Sequence, residues 1–249
     1  MNIYFDIETI PCQSAGVRDD FLASVRPPAV YKKPESIAAW LAENREAEGE
    51  QAWLQTSFDG GLGQVVAIAW AVDEADPHCL HVEDLTLKGE SDLLACWFRE
   101  MGRMHSTSGT RPVLVGHNIV GFDLPFLWKR AMIHRVRPPA WFPRHPKPWA
   151  ESIEDTMYLW DSEQRKGAGL DRICKLMGLA GKDGISGADV WPMVRAGRIK
   201  DVAKYCLGDV RAVRSIHHRM HFIAEPDEMA DVPDEFQGQD SFELEREAA

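Results

Sequence analysis

The chain has 249 residues, 45% of them hydrophobic and 27% charged, enough to bury about 70–75% of its unfolded surface in one α/β domain without disulfide staples. Its longest plainly apolar run, Val65 to Val72, has eight residues, far short of the ~18 needed to span a bilayer. Asp6 and Glu8 stand where a signal peptide would need an apolar core, so secretion is not expected. The five cysteines, Cys12, Cys79, Cys96, Cys174 and Cys206, are scattered and never in CxxC or CxxH spacing, which argues against a zinc ribbon or a disulfide framework and for a reducing, cytoplasmic setting.

The net charge of −11 is concentrated at one end: residues 225–249 hold ten acids and one base, Arg246, leaving about −2 on the rest. That composition predicts a disordered, solubilising tail appended to a domain of residues 1–224. Between Asp123 and Glu151 there is no acid, but there are Lys129, Arg130, Arg135, Arg137, Arg144 and Lys147, with His134 and His145.

Taken in chain order, Asn2 to Thr9 alternates Ile3, Phe5 and Ile7 with Tyr4, Asp6 and Glu8, a period of two that predicts a strand with its carboxylates on one face. Residues 12–62, punctuated by Pro27-Pro28 and Gly60-Gly61, read as an insertion, helical over Glu35 to Glu50. Residues 63–72 and 79–87 predict two further strands. Ser91 is expected to cap a helix reaching about Met104, with Leu93, Leu94, Trp97, Phe98 and Met101 as its apolar stripe. Residues 112–118 predict a short buried strand, followed by a helix from about Phe122 to Ile133 and a Pro- and Trp-rich segment over 138–149. Helices are expected at 167–178, at 188–196 and from Asp201 to about Ala224. This order suggests a mixed sheet flanked by helices.

Three stretches carry chemistry. In FDIET, residues 5–9, Asp6 and Glu8 face the same way about 7 Å apart along the strand. Like charges so placed suit a divalent cation with oxygen ligands, Mg²⁺ or Mn²⁺, though solvated carboxylates on an open edge strand would look the same. In GHNIVGFDLPFL, residues 116–127, Asp123 stands where a strand meets a helix and could serve as an N-cap or in a site, with Asn118 a hydrogen-bonding side chain nearby. In YCLGDV, residues 205–210, Tyr205 and Asp209 lie at i and i+4 on one helical face. The opposite stripe of Leu207, Val210, Val213 and Met220 is expected to be buried. Gly208 costs that helix about 1 kcal/mol relative to alanine.

Together and in this order, the three stretches resemble the DEDD superfamily of 3′→5′ exonucleases, and Tyr205 places them with its tyrosine-containing branch. FDIETIP, GHNIVGFD and YCLGD are most similar to stand-alone relatives of the proofreading domain of family B DNA polymerases, over roughly residues 3–214. The resemblance implies a ribonuclease H-like α/β fold. Its mixed five-stranded sheet is flanked by helices, opens with an antiparallel meander of three strands, and here carries an insertion after the first. It also implies hydrolysis of phosphodiester bonds at 3′ ends with two divalent ions, Mg²⁺ or Mn²⁺. In that scheme Asp6 bridges the ions, Glu8 and Asp209 complete one ion's ligands, Asp123 serves the other, and Tyr205 positions the attacking water. Lys204 stands where the histidine branch would have its histidine. Asp155 is an auxiliary acid beside the sheet rather than a ligand.

Such an enzyme must hold a strand. Lys129, Arg130, Arg135 and Arg137 are candidates for phosphate contacts, and Trp141, Phe142 and Trp149, interleaved with Arg144 and Lys147, for base stacking. Single-stranded DNA is the expected partner, with RNA as the alternative, and no membrane. Two other classes compete: a catalytically silent nucleic-acid-binding domain of the same fold, and an aspartyl phosphatase, whose DxDxT motif would need Asp where Glu8 stands.

Overall fold

The first strand, β1 (Asn2–Ile10), takes the centre of the sheet, because its neighbours on both sides are apolar enough to be buried with it. The computed structural model describes residues 1–161, 167–181 and 184–223. The acidic tail expected over 225–249, and Ala224 at the expected end of the last helix, lie outside the described residues.

β1 pairs antiparallel with β2 (Gln64–Val72), which pairs antiparallel with β3 (His78–His81). On the other side β4 (Val113–Gly116) and β5 (Ile153–Asp155) run parallel to β1, giving the order β3-β2-β1-β4-β5. This is the five-stranded mixed sheet with an opening meander that the motifs imply. β5 went unread in the sequence, since three residues are too few to display a period. β3 is shorter than its expected span of 79–87, and the following helix, α3 (Leu87–Ser108), starts four residues before Ser91. The reason is local: Thr86 Oγ1 accepts the Gly89 N–H at 3.1 Å and so caps the helix earlier.

The pleat sends the side chains of β1 to two covered faces. Phe5 packs against Trp97 of α3, ring centroids 5.8 Å apart, and Ile7 pairs with Ile68. On the other face Tyr4, Asp6 and Glu8 are paired with Ala71, Ala69 and Ala67. That row of methyl groups lets the last helix, α8 (Ile199–Met220), lie close over the carboxylates. The helix begins two residues before the expected Asp201. Its buried stripe includes Val202, Cys206, Val210, Val213 and Ile216, and it also takes in Tyr205 and Asp209, so these two do not form an exposed face.

The segment after β1 forms two packed helices, α1 (Val17–Ser24) and α2 (Pro34–Leu54), tied by Arg18 to Glu46 at 3.0 Å and to Glu50 at 2.5 Å. At their crossing Gly49 is required: a Cβ there would stand 2.7 Å from the Leu22 Cα. The pair is anchored to the domain by Trp53, whose indole N–H donates to the Cys12 carbonyl and whose ring meets Trp191 edge-on.

Beyond β4 comes α4 (Asp123–His134), and between β5 and α8 lie α5 (Thr156–Asp161), α6 (Leu170–Met177) and α7 (Gly187–Arg195). Arg130 of α4 is 3% exposed and grips Glu90 of α3 with Nε and Nη2 at 2.8 and 2.6 Å. Glu90 also takes the His134 Nε2 at 2.7 Å and the Val65 N–H at 2.9 Å. This ion pair joins α3, α4 and β2 from within. Removing one partner leaves the other charge buried and unpaired, so Glu90→Ala is expected to cost about 3–5 kcal/mol of stability in urea denaturation.

Candidate active site

The carboxylates gather where β1 passes beneath α8. Asp6 and Glu8 offer oxygens that, with the Cys206 Sγ, lie within 4.8 Å of one another. β1 is a central strand, and Glu8 is buried, which removes the alternative of solvated carboxylates on an open edge. Cys206 stands 3.5 Å from the Asp6 Oδ2. Burial, and after it the neighbouring Cys79, Asp6 and Glu8, keeps its thiol protonated, so the cluster offers hard oxygen donors rather than a thiolate.

Asp123 arrives from α4. It is not the N-cap of α4; Phe122 holds that position, and Asp123 is the first helical residue, with Pro125 two further on. Its side chain turns inward instead and accepts the Ile7 N–H at 3.3 Å. Burial first, then the charges of Asp155 and Asp209, raise its carboxyl to about 7, against the pull of that hydrogen bond. A nearby cation would reverse this, since opposite charge favours the carboxylate.

Tyr205 and Asp209 descend from α8 one turn apart, and the phenol hydrogen-bonds Asp209. Burial, then Asp209, Glu8 and Asp6, push the phenol far above its ordinary range, so it stays protonated. Asp123 reaches the Ile7 N–H between Asp6 and Glu8, and Asp6 and Glu8 cluster with Cys206 beside Tyr205 and Asp209, so the five residues singled out in the sequence lie around the crossing of β1 and α8.

A cavity of about 500 Å³ opens beside them, lined by Tyr205, Gly208, Asp209, Lys204, Arg211 and Arg198. A Cβ on Gly208 would meet nothing within 4 Å. The glycine therefore keeps the cavity wall low and relieves no crowding. Lys204, Gly208, Arg211 and Ser215 form one helical stripe along this cavity, a signal readable at spacings of four, three and four but overlooked in the sequence.

The basic segment after Asp123 lies elsewhere. α4 rises about 1.5 Å per residue, so it carries Lys129 roughly 9 Å and Arg135 roughly 18 Å along its axis from Asp123. Lys129 pairs with Asp59 at 2.8 Å. Arg130, expected to meet phosphate, is instead the buried partner of Glu90. Arg135, Arg137, Arg144 and Lys147 are exposed, Arg144 lying 5.8 Å from the Trp128 ring centroid. Phe142 is core, packed on Trp97 and Phe98, and Trp141 is half-buried against it, so of the three expected stacking rings only Trp149 stands out in solvent.

Asp155 organises the strand–helix turn. It accepts the N–H groups of Asn118 and Val120 at 2.9 and 3.0 Å, and those of Met157 and Tyr158 at 3.1 and 3.4 Å. Asn118 adopts a left-handed conformation there, φ 62°. Gly116 is obligatory, since a Cβ would fall 2.1 Å from Ile119. His117 links this turn to Thr156 at 3.0 Å and to the Ala168 carbonyl at 2.9 Å.

The molecule is an α/β fold whose mixed five-stranded sheet has its central strand covered by α8, with Asp6, Glu8 and Asp209 where the two meet. The chain belongs to the family described as "Predicted 3'-5' exonuclease related to the exonuclease domain of PolB", whose pattern matches residues 56–232. The match includes Asp123, Tyr205 and Asp209 but begins after Asp6 and Glu8. Among solved structures, the family B DNA polymerase from the hyperthermophilic archaeon Pyrobaculum calidifontis shares the fold, with a TM-score of 0.54 and 17% identity over 88% of this chain. The aligned part is 24% of the polymerase chain, so this chain spans about a quarter of that protein's length. No curated protein matches the chain.

Asp155→Ala would strand four backbone N–H groups in a largely buried turn. It is expected to lower stability by roughly 2–4 kcal/mol in chemical denaturation, because each bond to a charged acceptor contributes about 1.5–3 kcal/mol and water reaches part of the turn.

Proposed function

We propose that this chain is a 3′→5′ exonuclease of single-stranded nucleic acid, with DNA preferred, that holds two divalent ions, Mg²⁺ or Mn²⁺, on Asp6, Glu8, Asp123 and Asp209. The observation that carries it is the meeting of those four carboxylates with Tyr205, from β1, α4 and α8, in a buried setting that favours cations over bare charge. The donor set fits, being all oxygen and, when ionised, balancing two divalent charges. When bound, such ions neutralise charge on the phosphate and make a deprotonated water accessible near neutral pH.

The protein's own groups do the rest. Asp209 fixes the Tyr205 rotamer through its hydrogen bond, and the phenol, kept protonated, orients a water without serving as its base. Lys204 and Arg211 put positive charge along the cavity, where a terminal nucleotide and its phosphate would lie. The exposed Lys147, Arg144, Arg137 and Arg135 would hold strand farther from the cut, weakening with salt. The preference for DNA rests on the likeness to a DNA polymerase. Residues 1–224 would form the catalytic unit, with 225–249 as an acidic appendage. A reducing, cytoplasmic setting suits the free thiol of Cys206 beside Asp6. Among the described residues no helix is long and apolar enough to cross a membrane.

A 5′-labelled single-stranded oligonucleotide with Mn²⁺ should give a shortening ladder, lost with chelator and in Asp6→Ala. The same assay on RNA decides the sugar preference. Tyr205→Phe should retain metal binding but lose about 10²-fold in turnover, the lower range for a positioned hydrogen-bonding group; an unchanged rate would remove the phenol from the mechanism. Gly208→Ala should stabilise α8 by up to about 1 kcal/mol. It should also raise KM for the oligonucleotide, because its methyl enters the cavity.

A further inference from the structure

Two turns beyond Asp209, α8 presents a second cluster of different chemistry. His217 and His221, at i and i+4, both direct Nε2 at the Glu154 Oε2 on β5, at 2.6 and 2.7 Å. The three ligand atoms lie within 4.8 Å of one another, and the imidazole centroids are 4.5 Å apart. The helix rise puts His217 about 12 Å from Asp209 along the axis, so none of these atoms is shared with the carboxylate cluster.

We propose that Glu154, His217 and His221 form a Zn²⁺ site, with the fourth position open to water, that pins the C-terminal end of α8 to β5. Two imidazoles and one carboxylate are a zinc donor set, and nitrogen ligands select Zn²⁺ over Mg²⁺. Two histidines one turn apart on a helix present both nitrogens to one ion. In tetrahedral zinc, with bonds of about 2.0–2.1 Å, ligand atoms stand roughly 3.3 Å apart, so the cluster must open by several tenths of an ångström. The half-open side allows this: His217 is 3% exposed, but Glu154 and His221 are 33% and 42% exposed. That side also gives water access to the fourth position.

The surroundings orient the ligands as zinc sites require. The other ring nitrogen of His217, Nδ1, lies 3.1 Å from the Tyr4 hydroxyl, which is 3.2 Å from His218 Nε2. Without zinc, both Nε2–H groups donate to Glu154, and Tyr4 donates to His217 Nδ1. With zinc on Nε2, the His217 imidazole carries its proton on Nδ1 and donates it to the Tyr4 hydroxyl oxygen. A hydroxyl that both donates and accepts serves either tautomer.

The test uses the full chain carrying Asp6→Asn, so that the carboxylate cluster is impaired and failure of the exonuclease proposal leaves this one intact. After chelation, Zn²⁺ is titrated against a chromogenic competitor and Co²⁺ is followed by its visible spectrum. One zinc per chain should bind, with Co²⁺ bands typical of low-coordinate nitrogen and oxygen ligation. Adding His221→Ala, a half-exposed change, or Glu154→Gln should weaken zinc at least about tenfold, the lower range seen even for residues that only support ligands. Zinc should raise the melting temperature of the Asp6→Asn protein but not of the His221→Ala double variant. Undiminished zinc affinity in both added variants, or no stoichiometric zinc in the Asp6→Asn chain, would overturn the site.

Discussion

The structure depends on closing a helix over a strand that carries buried charge. Asp6 and Glu8 point from the central strand toward α8, which brings Tyr205 and Asp209 down on them, while Asp123 enters from α4 and accepts the Ile7 N–H. Two unit charges 4 Å apart repel by about 4 kcal/mol at an effective dielectric of 20. The arrangement therefore calls for protons or cations among the oxygens, and burial adds to that demand, raising the carboxyl of Asp123 ahead of the charges of Asp155 and Asp209. The closure is possible because Ala67, Ala69 and Ala71 line the same face, so the helix settles on methyl groups rather than on larger side chains.

Much of the remaining polar chemistry holds backbone in place. Asp155 collects four N–H groups and fixes the turn that leads into Asp123. His117 ties that turn to the start of α6 (Leu170–Met177), and Trp53 ties the α1–α2 pair to the segment after β1. Arg130 shows the same economy: a residue in the most basic stretch of the chain is a buried strut, since Glu90 and His134 wait for it inside. Basic composition and basic surface are thus different properties. The stripe of Lys204 and Arg211, less conspicuous in the sequence, lines the cavity beside Tyr205 and Asp209.

α8 works as a ruler with two marks. Near its middle it brings Tyr205 and Asp209 to the face of β1, and near its end it aims two imidazoles at β5. Tyr4 and Asp6 share one face of β1, so the strand touches both marks: Asp6 beside Cys206 and Tyr4 beside His217 and His218. A helix fixed at its end cannot easily shift at its middle, which connects the zinc proposal to the geometry of the carboxylates.

The local patterns determined a good deal. The period of two fixed which side chains of β1 share a face, i,i+4 spacing paired Tyr205 with Asp209, and the order of the three motifs pointed to the family and the five-stranded sheet. Boundaries were less legible: Thr86 starts α3 before Ser91, and β5 is too short to show a period. Only tertiary structure decided that β1 is central, that Asp123 turns inward instead of capping, that Arg130 and Phe142 are interior, and that Glu154 reaches His217 and His221. The physical reason is range. Periodicity and capping are set by neighbours within a turn or a pleat, whereas burial and the partner of a charge are set by residues forty to two hundred positions away.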